Sequence, residues 1–241
     1  MLDYLLFGIF PYIAITLFVF GTFYRFYNDK YSMSSQSSQF LGNKTTLVIG
    51  SIAFHWGIIL ILTMHFLGIF TPTFFDKIVT SNNRKYWEWS GWVLATALII
   101  GLIALLGRRV INPRLRTVTT TLDWFIIILI LTQAVFGLYI AFWRAYYDPP
   151  GGDVVYASSW FVSDIGGWLR SLLAFDPDIG TMTQFPWALK FHFANGLLII
   201  AIFPFTRLMH MLSYPFRYMW RSYQVVIWNR EPYTRDWHWD K

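Results

Sequence analysis

Five long uncharged stretches constrain this chain more than any other feature. They cover residues 4–24, 45–75, 89–107, 124–143 and 191–206. A helix that crosses a bilayer needs about 20 mostly apolar residues. Of the 241 residues only 13% are charged, whereas a soluble domain averages about 25%. The sequence therefore predicts an all-α integral membrane protein with five transmembrane helices.

The first and last stretches need separate comment. The N-terminal stretch has neither a basic leading region nor a small-residue cleavage site, so we interpret it as a retained span and not as a signal peptide. The fifth stretch is short for a span. We therefore expect its helix to continue past Arg207 towards His210 and Tyr214.

Basic residues predict the orientation of the spans. With the N-terminus outside (periplasmic), the outer segments hold six of the 19 Lys and Arg residues, and the inner segments and the cytoplasmic C-terminus hold the other thirteen. The six are Lys77, Arg84, Lys85, Arg144, Arg170 and Lys190. Such an excess is typical of cytoplasmic loops. Residues 1–213 would form the membrane domain.

Two segments outside the spans carry their own predictions. Residues 214–241 would form a cytoplasmic tail that docks to a partner subunit, since the tail mixes aromatic residues with arginines, although the same mixture suits a belt at the lipid headgroups. In the large outer loop, DPPGGD indicates a turn. The following SSWFVSDIGGWLRSLLAF is typical of an amphipathic helix on the outer membrane surface, or of a simple connector.

Composition excludes several classes of function. The chain has no cysteine, so it contains no thiolate-bound iron–sulfur cluster, thioether-linked haem or disulfide of its own. The formal net charge of +6 fits cytoplasmic Lys and Arg, and no basic, aromatic-interleaved module indicates nucleic-acid binding.

Four of the five histidines lie in or near two apolar stretches. An ionisable side chain within a span is costly and usually functional, and neutral imidazole is the commonest metal ligand. If the second and fifth spans are antiparallel, His55 comes level with His210, and His65 with His192. We call His55 and His210 the inner pair, and His65 and His192 the outer pair. Two pairs at two depths are what two stacked b haems require.

The spacing within each span is unequal. At the helical rise, His55 and His65 are about 15 Å apart, and His192 and His210 about 27 Å apart. Tilt and a kink at Pro204 are expected to absorb the difference. Either distance is too long for one polynuclear metal centre. Glycines near the histidines (Gly57, Gly68 and Gly196) are expected to leave room for a porphyrin, and the alternative for the histidines is a hydrogen-bonded core role.

Four segments of the chain are specific enough to suggest a family: FPYIA, FHWGIILILTMHFLGIFTP, NPRLRTVTTTLDW and KFHFANGLLIIAIFPFTRLMHMLSYPFRYMWRSYQVV. Through them the chain resembles the membrane cytochrome b (gamma) subunit of respiratory nitrate reductase. The resemblance covers nearly the whole chain apart from about the last ten residues and parts of the outer loop. The tail continues through EPYTRDWHWDK, which is longer than the family leads us to expect.

The resemblance implies roles for individual residues. His55 and His210 would ligate the iron of the inner (proximal) haem b, and His65 and His192 that of the outer (distal) haem b. Lys85 matches a lysine associated with the quinol site, where an ammonium would stabilise developing negative charge on a quinol oxygen. The alternative for Lys85 is a solvated loop residue.

Three further residues are placed near these sites. Met64 and Gly68 flank the outer ligand and are expected to lie close to the quinol and the distal haem. Arg207 lies one helical turn before His210, from where it would reach a haem propionate. Its alternative role is an ordinary cytoplasmic anchor.

The implied function is that of a quinol-oxidising electron-transfer subunit in the cytoplasmic (inner) membrane of a prokaryote. Menaquinol or ubiquinol would be oxidised at the outer end, and electrons would leave at the inner face for an iron–sulfur (beta) subunit and then a molybdenum catalytic (alpha) subunit. This chain would have no nitrate-reducing site. Two alternatives are the same di-haem module in a complex for nitrite oxidation or sulfur and heterodisulfide chemistry, and a haem-free anchor or transporter.

Overall fold

The computed structural model describes residues 1–35, 38, 40–146, 161–213 and 220. Within those residues the fold is entirely helical, without a strand. Five long helices, here α1 to α5, dominate it. They are α1 (Leu2–Asn28), α2 (Lys44–Phe70), α3 (Arg84–Ile111), α4 (Thr121–Tyr146) and α5 (Trp187–Ile202). The predicted tail 214–241, except for residue 220, and the predicted DPPGGD turn lie outside the described residues.

The outward surfaces of the long helices are apolar. Large hydrophobic side chains such as Phe20, Ile49, Val93 and Ile128 are exposed. All five are long and apolar enough to cross a membrane when the fifth is counted through the following 3-10 turn, as Trp187–Phe205. A soluble protein would not expose so much apolar surface. The prediction of five membrane helices is confirmed.

The second helix ends earlier than predicted. The uncharged stretch continues to residue 75, but α2 ends at Phe70 and a separate short helix, Pro72–Ile78, follows. Pro72 disfavours helical geometry at the preceding residue, and Thr71 has φ −132° and ψ 58°. The proline therefore turns the chain at the end of the span.

The predicted path of the fifth helix is wrong. Instead of continuing past Arg207, α5 begins early, at Trp187, and ends at Ile202. Two 3-10 turns follow, Phe203–Phe205 and Arg207–Met211, with extended backbone at Thr206 between them. Pro204 lacks the N–H that a continuing helix needs. The straight-helix distance of 27 Å between His192 and His210 consequently does not apply.

The helices pack in the order α2, α3, α4, α5, α1. The α2–α3 contact is the most extensive, and α5 lies between α1 and α4. Glycines allow the close approach of α2 and α3, since a Cβ on Gly101 would lie 2.7 Å from the Gly50 carbonyl oxygen and one on Gly57 would lie 2.8 Å from Leu98 Cβ. The expectation that Gly57 leaves room for a porphyrin is therefore wrong, because its free side is occupied by α3.

The N-terminal end of the bundle is closed by the helix Gly166–Leu173. Its Trp168 and Leu172 are buried against Phe7 and Met182. The predicted helix thus exists in the described part of this loop, and two of its apolar residues pack on protein. Its position on the membrane surface stays a prediction.

Two hydrogen bonds attach the helix Gly166–Leu173 to α1. Pro11 has no N–H to donate to the Phe7 carbonyl four residues earlier, and α1 has a π turn at Leu5–Ile9. The Trp168 indole N–H donates to the Phe7 carbonyl at 3.1 Å. Nearby, the Tyr12 hydroxyl donates to the Leu172 carbonyl at 2.8 Å.

Candidate functional site

The inner pair is brought together by α2 and the second 3-10 turn. The ring centroids of His55 and His210 are 6.3 Å apart, and the ring planes meet at 76°. His55 is exposed and His210 is half-buried. Residues 155 positions apart in the sequence therefore face each other near the end of the bundle opposite the N-terminus.

Both rings of the inner pair are oriented by their own backbone. His55 Nδ1 lies 2.8 Å from the Ser51 carbonyl oxygen, and His210 Nδ1 lies 2.6 Å from that of Arg207. A carbonyl oxygen only accepts hydrogen bonds, so Nδ1 donates in each case. In a neutral ring the Nε2 atom then carries the lone pair, which is the usual arrangement at histidine ligands of metals.

The outer pair lies towards the N-terminal end. His65 lies on α2 and His192 on α5, and His65 Nδ1 donates to the Ile61 carbonyl at 2.8 Å. His65 is exposed and His192 is half-buried. The structure thus brings His55 and His210 face to face, as the antiparallel spacing predicted, and the pairing of His65 with His192 stays a prediction.

His192 is held differently from the other three histidines. Its Nδ1 is buried and has no hydrogen-bond partner among the residues that the structure describes. Its Nε2 lies 3.2 Å from Gln133 Nε2 on α4. The opposite end of that amide, Gln133 Oε1, accepts from Asn195 Nδ2 at 2.8 Å, and the same Asn195 nitrogen donates to the Leu129 carbonyl at 3.0 Å.

Sequence reasoning did not identify Gln133 or Asn195. Both lie inside predicted spans, and Asn195 is only 5% exposed. A buried polar side chain must be hydrogen-bonded to be tolerated. Gln133 and Asn195 could have been identified from the sequence, because each is an amide within an otherwise apolar span.

The 3-10 segment that carries His210 is fixed by α1. The Arg25 guanidinium donates through Nη1 to the carbonyl oxygens of Pro204 (2.7 Å) and Thr206 (2.8 Å). Its Nε and Nη2 donate to the hydroxyl and the carbonyl of Ser32, both at 2.9 Å. Arg25 was predicted only as a basic residue of the inner side, and the structure shows that it holds the turn preceding an inner histidine.

Arg207 forms an ion pair at this same end. Its Nη2 lies 2.9 Å from Oδ2 of the buried Asp123 at the start of α4. The same nitrogen donates to the Val118 carbonyl at 3.3 Å. The predicted contact of Arg207 with a propionate stays a prediction.

The predicted quinol residues lie near the C-terminal end of α2 and the N-terminal end of α3. Lys85 is in the first turn of α3, exposed, with its Nζ 5.0 Å from the centroid of the Tyr86 ring. Met64 is half-buried and Gly68 buried, one on each side of His65 along α2. Their roles stay predictions.

The donor set of the inner pair suits a metal held between two imidazoles. With metal–nitrogen bonds of about 2.1 Å, as at zinc sites, two rings on opposite sides of one ion place their centroids about 6 Å apart. The measured 6.3 Å agrees with this value. Among the described residues no group of three or more histidine, cysteine or acidic side chains converges on one point.

Comparison with known proteins gives consistent matches. The family model described as "Nitrate reductase gamma subunit" matches residues 3–229. The chain is 31% identical over 224 residues to the nitrate reductase gamma chain of Bacillus subtilis (strain 168), covering 92% of this chain and 96% of the relative. It is 32% identical over 232 residues to the respiratory nitrate reductase 2 gamma chain of Escherichia coli (strain K12), covering 94% and 98%.

Proposed function

The chain belongs to the nitrate reductase gamma subunit family, and on this premise we propose that it is the quinol-oxidising, electron-transferring membrane subunit of a respiratory nitrate reductase. The observation that carries the proposal is the facing of His55 and His210 at 6.3 Å. Their Nδ1 atoms are fixed by backbone carbonyls, so both rings are ready to ligate one iron.

The histidines would hold two b haems, one for each pair. Haems ligated by two imidazoles supply one-electron transfer without opening a site for substrate. His55 on α2 and His210 on the 3-10 turn would hold the inner haem. His65 and His192 would hold the outer haem, and Arg207 would contact a propionate of the inner one.

Quinol chemistry would take place at the N-terminal end. Lys85 in the first turn of α3 would hydrogen-bond a quinol oxygen and stabilise the charge that develops as the proton leaves, while Met64 and Gly68 would line the same region beside His65. The excess of basic residues at the other end supports an orientation with the N-terminus outside, in the inner membrane of a prokaryote. Protons from quinol would then be released outside.

The reduction of nitrate would belong to partner subunits. Without cysteine the chain has no thiolate ligands for an iron–sulfur cluster of its own, so an iron–sulfur subunit at the cytoplasmic face would receive the electrons and pass them to a molybdenum subunit. Subunits that co-purify with the full chain would identify these partners. A sulfur-cycle or heterodisulfide module in their place would contradict the nitrate assignment.

Histidine variants test the assignment of the haems. We expect His65→Ala and His192→Ala to lose the outer haem, and His55→Ala and His210→Ala to lose the inner one, so that each variant keeps one b haem per chain. His238→Ala is the control and should keep two. The readouts are the haem-to-protein ratio and the reduced-minus-oxidised spectrum.

Two results would contradict the proposal at different levels. A wild-type chain without a b-type spectrum would favour a haem-free anchor or transporter. If all four variants kept two haems, the ligand pairs would be wrong even though the chain binds haem.

A further inference from the structure

We propose that Asp123 is a positioning residue for the inner haem and that it acts through Arg207. The ion pair between the two side chains holds the 3-10 turn Arg207–Met211, which carries His210, against the start of α4. This inference rests on the proposed function, since it assigns a support to an inner haem ligand. It goes beyond that function because Asp123 lies on α4, a helix without a histidine.

Asp123 is fixed by the first turn of its own helix. The Thr120 N–H donates to Asp123 Oδ2 at 2.9 Å, and the Asp123 N–H donates to the Thr120 hydroxyl at 3.2 Å. This reciprocal arrangement is that of a capping box. A carboxylate is also favourable in the first turn of a helix, where the N–H groups carry partial positive charge. The helix therefore sets the position of the carboxylate independently of the turn that it binds.

The carboxylate binds Arg207 in a place that is largely removed from solvent. Arg207 Nη2 lies 2.9 Å from Asp123 Oδ2, and the two side chains are 23% and 7% exposed. The same nitrogen donates to the Val118 carbonyl at 3.3 Å. A charge as deeply buried as that of Asp123 must be paired to be tolerated. Arg207 supplies the cation from the turn that follows α5.

Arg207 connects this ion pair to His210 through its own backbone. His210 Nδ1 donates to the Arg207 carbonyl oxygen at 2.6 Å. A carbonyl bound to this nitrogen orients the ring for ligation through Nε2. Arg207 thus binds α4 with its side chain and the ligand ring with its carbonyl. A shift of Arg207 would therefore move the acceptor on which the orientation of the ring depends.

The turn is consequently attached on two sides. Arg25 of α1 holds the carbonyl oxygens of Pro204 and Thr206, directly before Arg207, and Asp123 of α4 holds the Arg207 side chain. Hydrogen-bond geometry is poorer in a 3-10 turn than in an α-helix, so contacts from outside the turn matter more for its position. The propionate contact proposed for Arg207 would use another nitrogen of the guanidinium, because Nη2 binds Asp123.

The first test measures haem release from the purified full chain in detergent, by transfer to an excess of apomyoglobin. Asp123→Asn keeps the size of the side chain and an oxygen that can accept from the Thr120 N–H, but removes the charge. We expect it to accelerate release of the inner haem about tenfold, as for the loss of one hydrogen bond between charged groups, and to leave the outer haem unchanged. A His65→Ala background, which should keep only the inner haem, identifies the inner phase.

Thr120→Val is the matched control for the first test. It removes the hydroxyl that caps α4 but leaves the ion pair of Asp123 in place. We expect it to lower the stability of the chain without changing the release of the inner haem.

The second test separates the ion pair from general packing by the sign of the charge. Ferric haem carries one more positive charge than ferrous haem, so a nearby unpaired cation raises the midpoint potential and a nearby unpaired anion lowers it. Asp123→Asn leaves Arg207 unpaired and should raise the potential of the inner haem. Arg207→Met leaves Asp123 unpaired and should lower it. Loss of packing alone would shift both variants in the same direction.

A double variant tests the route through Arg207. Because Asp123 acts through Arg207, adding Asp123→Asn to Arg207→Met should not accelerate release of the inner haem any further. Arg207→Lys keeps a cation opposite the carboxylate and should release the inner haem more slowly than Arg207→Met does. The Arg207 variants also carry the test on the more exposed partner if Asp123→Asn fails to fold.

The opposite results overturn the inference. They are unchanged release of the inner haem in Asp123→Asn, equal acceleration for the two haems, potential shifts of the same sign in Asp123→Asn and Arg207→Met, additive effects in the double variant, or equal release from Arg207→Lys and Arg207→Met. A wild-type chain with no haem signal would instead remove the proposed function, and the inference with it.

Discussion

Replacement of Arg25 should release the inner haem selectively. Arg25 lies on α1, far in sequence from His210, but it binds the turn that leads to this histidine through two carbonyl oxygens. Arg25→Met keeps the length of the side chain and removes every donor. The 3-10 segment would then lose its attachment to α1, while the outer pair, at the other end of the bundle, would not be affected.

The size of the effect follows from the two bonds to Pro204 and Thr206. A hydrogen bond from a charged donor contributes about 1.5–3 kcal/mol. Because Arg25 is half-buried, we take the lower end, which gives about 3 kcal/mol for the two bonds. This corresponds to a factor of about 100 in the equilibrium between the docked and the released turn. Because the haem would dissociate from the state in which the turn is released, its dissociation rate should increase by about the same factor.

The assay is haem transfer from the detergent-solubilised chain to an excess of apomyoglobin, followed by absorbance. Wild type should give two phases, and Arg25→Met should accelerate only the phase of the inner haem. Arg25→Lys, which keeps one ammonium donor, should give a smaller acceleration of about tenfold. Asn28→Ala is a control on the same helix end, since Asn28 Nδ2 donates to the Tyr24 carbonyl of its own helix. Unchanged release, or equal acceleration of both phases, would refute the role of Arg25.

Two further predictions concern the N-terminal end of the bundle. Lys85→Ala should lower the rate of haem reduction by quinol about 100-fold, as expected for the loss of a donor to developing negative charge, while the haem content stays unchanged. Lys77→Ala is the control. Equal rates in the two variants would contradict the assignment of Lys85. Trp168→Phe should destabilise the chain by about 1–3 kcal/mol because the Phe7 carbonyl loses its donor, measured by unfolding in SDS. In a Pro11→Ala background, which restores an N–H at position 11, the same substitution should cost about 1 kcal/mol less, and a purely additive result would show that the indole contributes only packing.

The number of spans and the facing of His55 and His210 could be predicted because both depend on simple geometry. A bilayer requires about 20 apolar residues per helix, and two antiparallel helices bring residues of equal depth together. The positions of His55 and His192 along their helices could be predicted from helical geometry alone. They lie within α2 and α5, where helical geometry holds.

The ends of the spans were less predictable because charge was used to define them. Lys190 marks the start of the fifth uncharged stretch, but α5 begins three residues earlier. Lys190 Nζ lies 2.7 Å from Asp3 Oδ2, so its charge is paired with the first residues of α1. Asp3 is 187 residues away from Lys190 in the sequence, so no local sequence pattern predicts the pair.

The residues that support the histidines were also hidden from sequence reasoning. Gln133 and Asn195 carry no charge and therefore did not interrupt the uncharged stretches. Only the packing of α4 against α5 shows that their amides meet. Similarly, Arg25 was counted for orientation, whereas the structure reveals that it binds the backbone before His210.

The two pairs of histidines that we propose as haem ligands are supported by different parts of the bundle. His210 lies in a 3-10 turn whose position depends on α1 through Arg25. His192 lies within α5, and its ring is fixed by α4 through Gln133 and Gly137. Both α1 and α4 contact α5, but the supporting bonds involve different residues, since Arg25 binds the turn after α5 and Gln133 contacts His192. A change in one support therefore does not have to disturb the other. Substitutions of Arg25 and Gln133 should therefore affect different haems, and the double variant should show the sum of the two single effects.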